Sequence, residues 1–172
     1  MKIITGKIRM NYTNIFTKKS IEGEEPRYSL SILIPKSDTK TISNINEAIF
    51  KSKEKGITIW KSIVDNIKSP LRDGDIEKVD NEAYKNHYFL NATSKYKPGI
   101  VNKNLEEITD SSEIYPGCYG RVSLSFYPYN KDDTYGVGCC INNVQKISDG
   151  ERISISSAKD DFTIIEDEDI LS

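Results

Sequence analysis

Hydrophobic and polar positions alternate along most of the chain, and the pattern changes to a three-and-four spacing only once. From Ile3 to Tyr12, Ile4, Ile8, Met10 and Tyr12 fall on one side while Lys7, Arg9 and Asn11 fall on the other, which predicts a half-buried strand. Phe16 to Glu25 reads as a polar connection closed by Pro26, and Tyr28 to Ile34 as a second strand stopped by Pro35. Ser37 or Asp38 then caps a helix carrying Ile42, Ile45, Ala48 and Ile49, with Gly56 as its terminator. Ile59, Trp60, Ile63, Val64 and Ile67 predict a second short helix ending before Pro70. Strand character resumes from Tyr84 to Tyr96. His87, Phe89, Asn91, Thr93 and Lys95 form one face there, and Tyr88, Leu90, Ala92 and Ser94 the other. Short strands flank a turn at Asn102–Asn104, and a long hairpin runs from Gly117 through a polar loop at Asn130–Thr134 to Ile147. The chain is therefore mainly β with inserted helices, class α+β.

The outgoing strand of that hairpin divides into two unlike surfaces. Cys118, Val122, Leu124 and Phe126 make a core face, and Tyr119, Arg121, Ser123, Ser125, Tyr127 and Tyr129 make the other. An ordinary solvated face would carry lysine, glutamate and threonine. Flat aromatics beside a guanidinium suit stacked bases and phosphates, although tyrosine is also a good strand former that a loop can half cover. Trp60, within a helical apolar stripe, reads as core.

Charge changes the picture at one end. The net charge is −2, but Asp160, Asp161, Glu166, Asp167, Glu168 and Asp169 lie together with no base among them; without them 24 basic face 20 acidic residues, a body of +4. A basic body with an acidic tail fits a polyanion-binding protein in which the tail competes for the same surface. The expected division is a domain at 1–159 and an acidic, disordered tail at 160–172.

No run approaches the roughly 18 apolar residues of a membrane span. The start of the chain lacks a signal-peptide core, so the host-cell cytoplasm is expected. Cys118, Cys139 and Cys140 form no disulfide framework or zinc spacing and read as free thiols. His87, the single histidine, has no obvious catalytic partner. Asp73, Asp75 and Glu77 raise the alternative of a magnesium-dependent nuclease, but Asp-Gly is also the ordinary turn dipeptide. Neither a cofactor nor a bound metal is expected. A third alternative is a structural or assembly protein using the tyrosine face as a subunit interface.

Gly117-Cys118-Tyr119-Gly120-Arg121 through Phe126-Tyr127-Pro128-Tyr129-Asn130 resembles a family of phage- or prophage-encoded single-stranded DNA-binding proteins of Gram-positive hosts. Thr5-Gly6-Lys7 with Arg9, Leu71-Arg72-Asp73-Gly74, Lys97-Pro98-Gly99-Ile100-Val101 and Asp160-Asp161-Phe162 extend the likeness along nearly the whole chain. The resemblance implies a five-stranded OB-like barrel with a helical insertion, related in plan to the single-stranded DNA-binding proteins of short-tailed coliphages. It also implies a non-enzymatic role in phage DNA replication or recombination, with single-stranded DNA as partner. The coliphage tails end in an aromatic residue and this one ends Ile170-Leu171-Ser172. Phage or host replication proteins met through the tail, and a homodimer, are compatible with the reading. On this view Lys7, Arg9, Lys95, Lys97 and Arg121 neutralise phosphates, and Phe89, Tyr119, Tyr127 and Tyr129 stack bases.

Overall fold

The computed structural model describes residues 1–20, 23–61, 64–153 and 162–165. The first predicted strand is broken in two: β1 (Lys2–Ile4) and β2 (Ile8–Lys19) are separated by Thr5–Lys7. Thr5 Oγ1 accepts from Val122 N at 3.0 Å, and Gly6 N donates to Thr41 Oγ1 at 2.9 Å, so the break is fixed from both sides. It puts Ile3 inside and leaves Ile4 exposed. A second irregularity lies at Tyr12, whose φ of 46° marks a bulge in β2 and reverses the alternation. Tyr12 is therefore exposed where unbroken alternation predicts it inside, whereas Asn11 stays on the outer face, paired with Ser31, and is buried there because Tyr84 covers it, its Nδ2 donating to the Tyr84 hydroxyl at 2.8 Å. Beyond the bulge β2 runs on to Lys19, through the stretch expected to be a polar connection.

Arg27–Pro35 (β3) pairs with β2, and Thr39–Trp60 (α1) follows as one helix rather than two. Asp38 caps it, its side chain accepting from Thr41 N. Gly56 does not end the helix. Its missing side chain makes room for Trp60, since a Cβ there would lie 2.6 Å from the indole, and Trp60 packs edge-on against Tyr135 at 4.8 Å between ring centroids. Thr41, Ile45, Ala48, Ile49 and Ser52 turn the helix's buried face onto the barrel. Ile63, assigned to the second helix, lies outside the described residues.

Two-residue strands Ile67–Lys68 (β4) and Arg72–Asp73 (β5), the short helix Gly74–Glu77 (α2) and a 3-10 turn at Glu82–Tyr84 lead to His87–Ser94 (β6). Gly99–Val101 (β7), Tyr119–Lys131 (β8) and Thr134–Ser148 (β9) complete the strands. Antiparallel pairings of β8 with β2, β2 with β3, β3 with β6 and β8 with β9, and a parallel contact of β6 with β9, close β2, β3, β6, β9 and β8 into a ring. This is the five-stranded barrel expected. Its interior holds Ile8, Met10, Leu30, Ile32, Leu90, Val122, Leu124, Ile141 and Val144. Cys118 and Cys139 are buried among them, and burial pushes both thiols up. Among the described residues no helix is long and apolar enough to cross a membrane.

The segment from β5 to Tyr84 lies against the outside of β6 and is held there by charge. Lys36 Nζ reaches Asp73 at 2.8 Å and Asp75 at 2.7 Å, and Asn86 N donates to Asp75 at 3.0 Å. These bonds, the lysine's first, hold the Asp75 carboxyl below its ordinary value. A carboxylate depressed on folding contributes stability above its unfolded value and loses it as pH falls through the folded one. Asp75→Asn is expected to lower the melting temperature at neutral pH, with the difference from wild type shrinking below about pH 4. A difference that persists unchanged in acid would separate the effect from this charge.

Candidate nucleic-acid interface

On the outer face of β3 and β6 lies a cleft of about 380 Å³. The strands supply a polar floor of Ser29, Ser31, Asn91 and Thr93. Tyr12 and Asn14 border it from β2, and Arg27 at the start of β3 also lines it. Arg72, Lys78 and Tyr84 build the opposite wall. The floor is polar because Ser29, Ser31, Asn91 and Thr93 occupy the alternate positions to Leu30, Ile32, Leu90 and Ala92, which fill the barrel. The β2–β3 loop contributes Glu24 and Glu25, and Glu24 meets Lys131 of the β8–β9 turn at 3.6 Å. In a five-stranded barrel of this kind, the face of the second and third strands between these two loops is where oligonucleotides bind.

The expected site residues separate into groups. Tyr127 and Tyr129 stand at the far end of β8 with their rings lying across β9. A Cβ at Gly138 would come within 2.5 Å of the Tyr127 ring, and one at Gly136 within 2.5 Å of the Tyr129 ring. Glycine at these two positions lets the rings lie close to the sheet. Tyr127 is 40% exposed. Its phenol is pushed up chiefly by burial. Lys95 follows Thr93 of the floor by two residues and is exposed. Lys97 Nζ lies 5.4 Å from the Phe16 ring centroid.

Lys7, Arg9, Tyr119 and Arg121 come together at the other end of β8, about 26 Å from Tyr127 at the strand rise. Lys7 Nζ sits 4.8 Å and the Arg9 guanidinium carbon 5.6 Å from the centroid of Tyr119, so that ring is already capped by cations. Arg9 donates from Nε to the Gly117 carbonyl at 3.2 Å and from Nη2 to that of Glu151. It acts as a clamp on the segment leaving β9 rather than as a cation open to phosphate. Lys7 and Arg121 are exposed, and Arg121 Nε donates to the Thr5 carbonyl at 3.3 Å.

Phe89 requires a correction. It is 1% exposed, packed edge-on against Tyr84 at 5.2 Å and on Leu33, with the Arg72 guanidinium carbon 5.1 Å from its ring centroid. The alternation put it on the outer face, but the wall segment covers that face there, so Phe89 lies beneath the cleft and offers no surface for stacking. The carboxylates of the nuclease alternative are also engaged: Asp73 and Asp75 converge on Lys36, and Glu77 turns away to Arg72 at 2.6 Å. His87 is a half-buried strand residue whose Nδ1 lies 2.6 Å from the Lys85 carbonyl.

Tyr12, Arg27, Arg72 and Lys78 were not expected at the site. The bulge hides Tyr12 from any periodic reading, and Arg72 and Lys78 arrive through a wall that only the tertiary fold positions. Arg27 had a signal, since it stands directly before a predicted strand and after Pro26.

A closed five-stranded barrel with a cation-rimmed, aromatic-flanked cleft on its second and third strands belongs to the class of OB-fold nucleic-acid-binding proteins. Within that class the chain belongs to the family of the Enterobacter phage Enc34 ssDNA-binding protein, whose family model matches residues 1–171. It is 30% identical, over the full length of both chains, to protein p50 of Acyrthosiphon pisum secondary endosymbiont phage 1. Its fold is similar to that of the bacteriophage Enc34 single-stranded DNA-binding protein in complex with ssDNA, with a TM-score of 0.78, 20% identity and 89% of each chain covered. It is also similar to gp2.5, a single-stranded DNA-binding protein of bacteriophage T7, with a TM-score of 0.67, 12% identity and coverage of 94% of this chain and 92% of that one. These likenesses carry the family and the fold, not the Gram-positive host.

Proposed function

We propose that this chain is a non-enzymatic single-stranded DNA-binding protein serving phage DNA replication or recombination in the host cytoplasm. The observation that supports it most is the cleft on β3 and β6 in a chain of the Enc34 family. Tyr12, Tyr127 and Tyr129 stack bases, Arg27, Lys78, Lys95 and Lys97 neutralise phosphates, and Lys7 and Arg121 extend the cationic track along β8. Affinity then has two separable parts. Labelled oligo-dT, titrated at two salt concentrations and followed by anisotropy, tests both. Each phosphate contact removed lowers the logarithmic salt slope by about 0.7 on a single strand, so Arg27→Ala flattens the slope and Tyr127→Ala does not. Failure to bind, equal slopes for the two variants, or cleavage of the strand on adding magnesium would overturn this reading.

The tail enters the same scheme. Ile153, held by its N–H on the Pro116 carbonyl at 2.9 Å, packs against the Leu33–Tyr84–Phe89 cluster, and Tyr84 and Phe89 line the cleft. The barrel therefore delivers the chain beside the cleft shortly before the acidic stretch begins. Residues 154–161 and 166–172, with most of the expected tail, lie outside the described residues. A tethered polyanion at an effective concentration on the order of millimolar competes with DNA for the cations. A chain ending at Lys159 is expected to bind oligo-dT more tightly than the full chain at about 20 mM salt, the gain fading towards 300 mM as screening increases. Equal affinities at low salt would leave the tail without a competing role.

A further inference from the structure

Resting on the reading of the cleft as a single-strand site, we infer that Asn91 makes it selective for bases that present a carbonyl, rather than an amino group, at the edge remote from the sugar. Ser31 and Asn91 face each other across β3 and β6, and the Ser31 hydroxyl donates to Asn91 Oδ1 at 2.5 Å. Ser31 is 5% exposed, so its hydroxyl has little access to water and needs a protein acceptor. The neighbouring amide on the other side cannot supply one freely. Asn11 Oδ1 already accepts from Tyr12 N at 2.9 Å, and its Nδ2 donates to the Tyr84 hydroxyl at 2.8 Å. Asn91 Oδ1 is left to accept the hydrogen bond.

An amide whose oxygen is held in this way turns its nitrogen outward. The Asn91 side chain is exposed in the cleft, and among the described residues its Nδ2 has no protein partner. It offers two hydrogens and no acceptor. Thymine and uracil carry O4, and guanine carries O6, at the edge remote from the sugar. Cytosine and adenine carry an amino group there, which would set donor against donor. A cleft of about 380 Å³ lies near the lower end of the range for small-ligand sites, roughly 300–1,000 Å³, a size suited to a nucleotide inserted base-first. Stacking on the tyrosines tolerates every base, so discrimination falls to this amide.

The test compares oligo-dU with oligo-dC of equal length at pH 8 on the full chain, because the two bases have the same size and differ at the edge in question. One hydrogen bond made or lost is expected to give wild type about a threefold to tenfold preference for oligo-dU. Asn91→Ala removes the preference by weakening oligo-dU. Ser31→Ala leaves Asn91 in place but frees it to rotate, so the preference is lost through stronger binding of oligo-dC, a result that misfolding would not produce. Equal binding of the two oligomers by wild type, or a preference surviving in both variants, would overturn the inference while leaving single-strand binding intact. Failure to bind either oligomer would bring down the single-strand reading itself, and the inference with it.

Discussion

Tyr127→Ala and Tyr12→Ala are each expected to weaken binding to oligo-dT by about fivefold to a hundredfold, the range that one stacked base contributes, while leaving the melting temperature near that of wild type. Tyr12 on β2 lines the cleft and Tyr127 lies across Gly138 of β9, the strand beside β6, and the two are 49% and 40% exposed. Neither fills the interior of the barrel. Removing Tyr127 uncovers Gly138 without opening a buried cavity, so the loss falls on the ligand rather than on the fold. If the variants melt early and bind normally once folded, the rings are packing residues and the outer face of β8 is not the contact surface.

Leu124→Ala is expected to have the opposite signature, a loss of about 2–5 kcal/mol of stability with unchanged affinity in the protein that remains folded. Leu124 is fully buried, paired across the barrel wall with Ile3 on one side and Ile141 on the other, and all three lie in the same core. In a chain of this size each kcal/mol shifts the transition by about 2–4 °C, so differential scanning calorimetry would detect it readily. An unchanged transition would place Leu124 outside the core.

The two faces of β8 were legible because the strand alternates without interruption from Cys118 to Tyr129, and the core residues read from that alternation are the ones buried. Legibility ended where local order was interrupted. At Tyr12 one bulged residue exchanged the inside for the outside, and nothing in the types Asn11 and Tyr12 announces it. At Gly56 a rule of thumb about helix ends met a packing requirement, the bulk of Trp60, and the packing won. Phe89 was placed on its correct face, but the wall from Arg72 to Tyr84 converts that face from surface to interior through pairings far apart in sequence. The cleft is not legible in the sequence for the same reason, since it draws on β2, β3, β6 and a wall whose nearness only the closed ring creates.

That ring has a consequence for how the protein is made. β8 and β9 meet across Asp132 and Asp133, two residues with positive φ, so this hairpin forms from neighbours in sequence. Closing the barrel is a different matter. Val122 N must find Thr5 Oγ1 across 117 positions, and pairings of that span form slowly because the intervening chain has to be ordered first. During synthesis β2, β3 and β6 emerge with their apolar sides uncovered and wait for a partner that comes late. A chain cut short before β9 would therefore be an open sheet with unpaired edges, prone to associate with other chains.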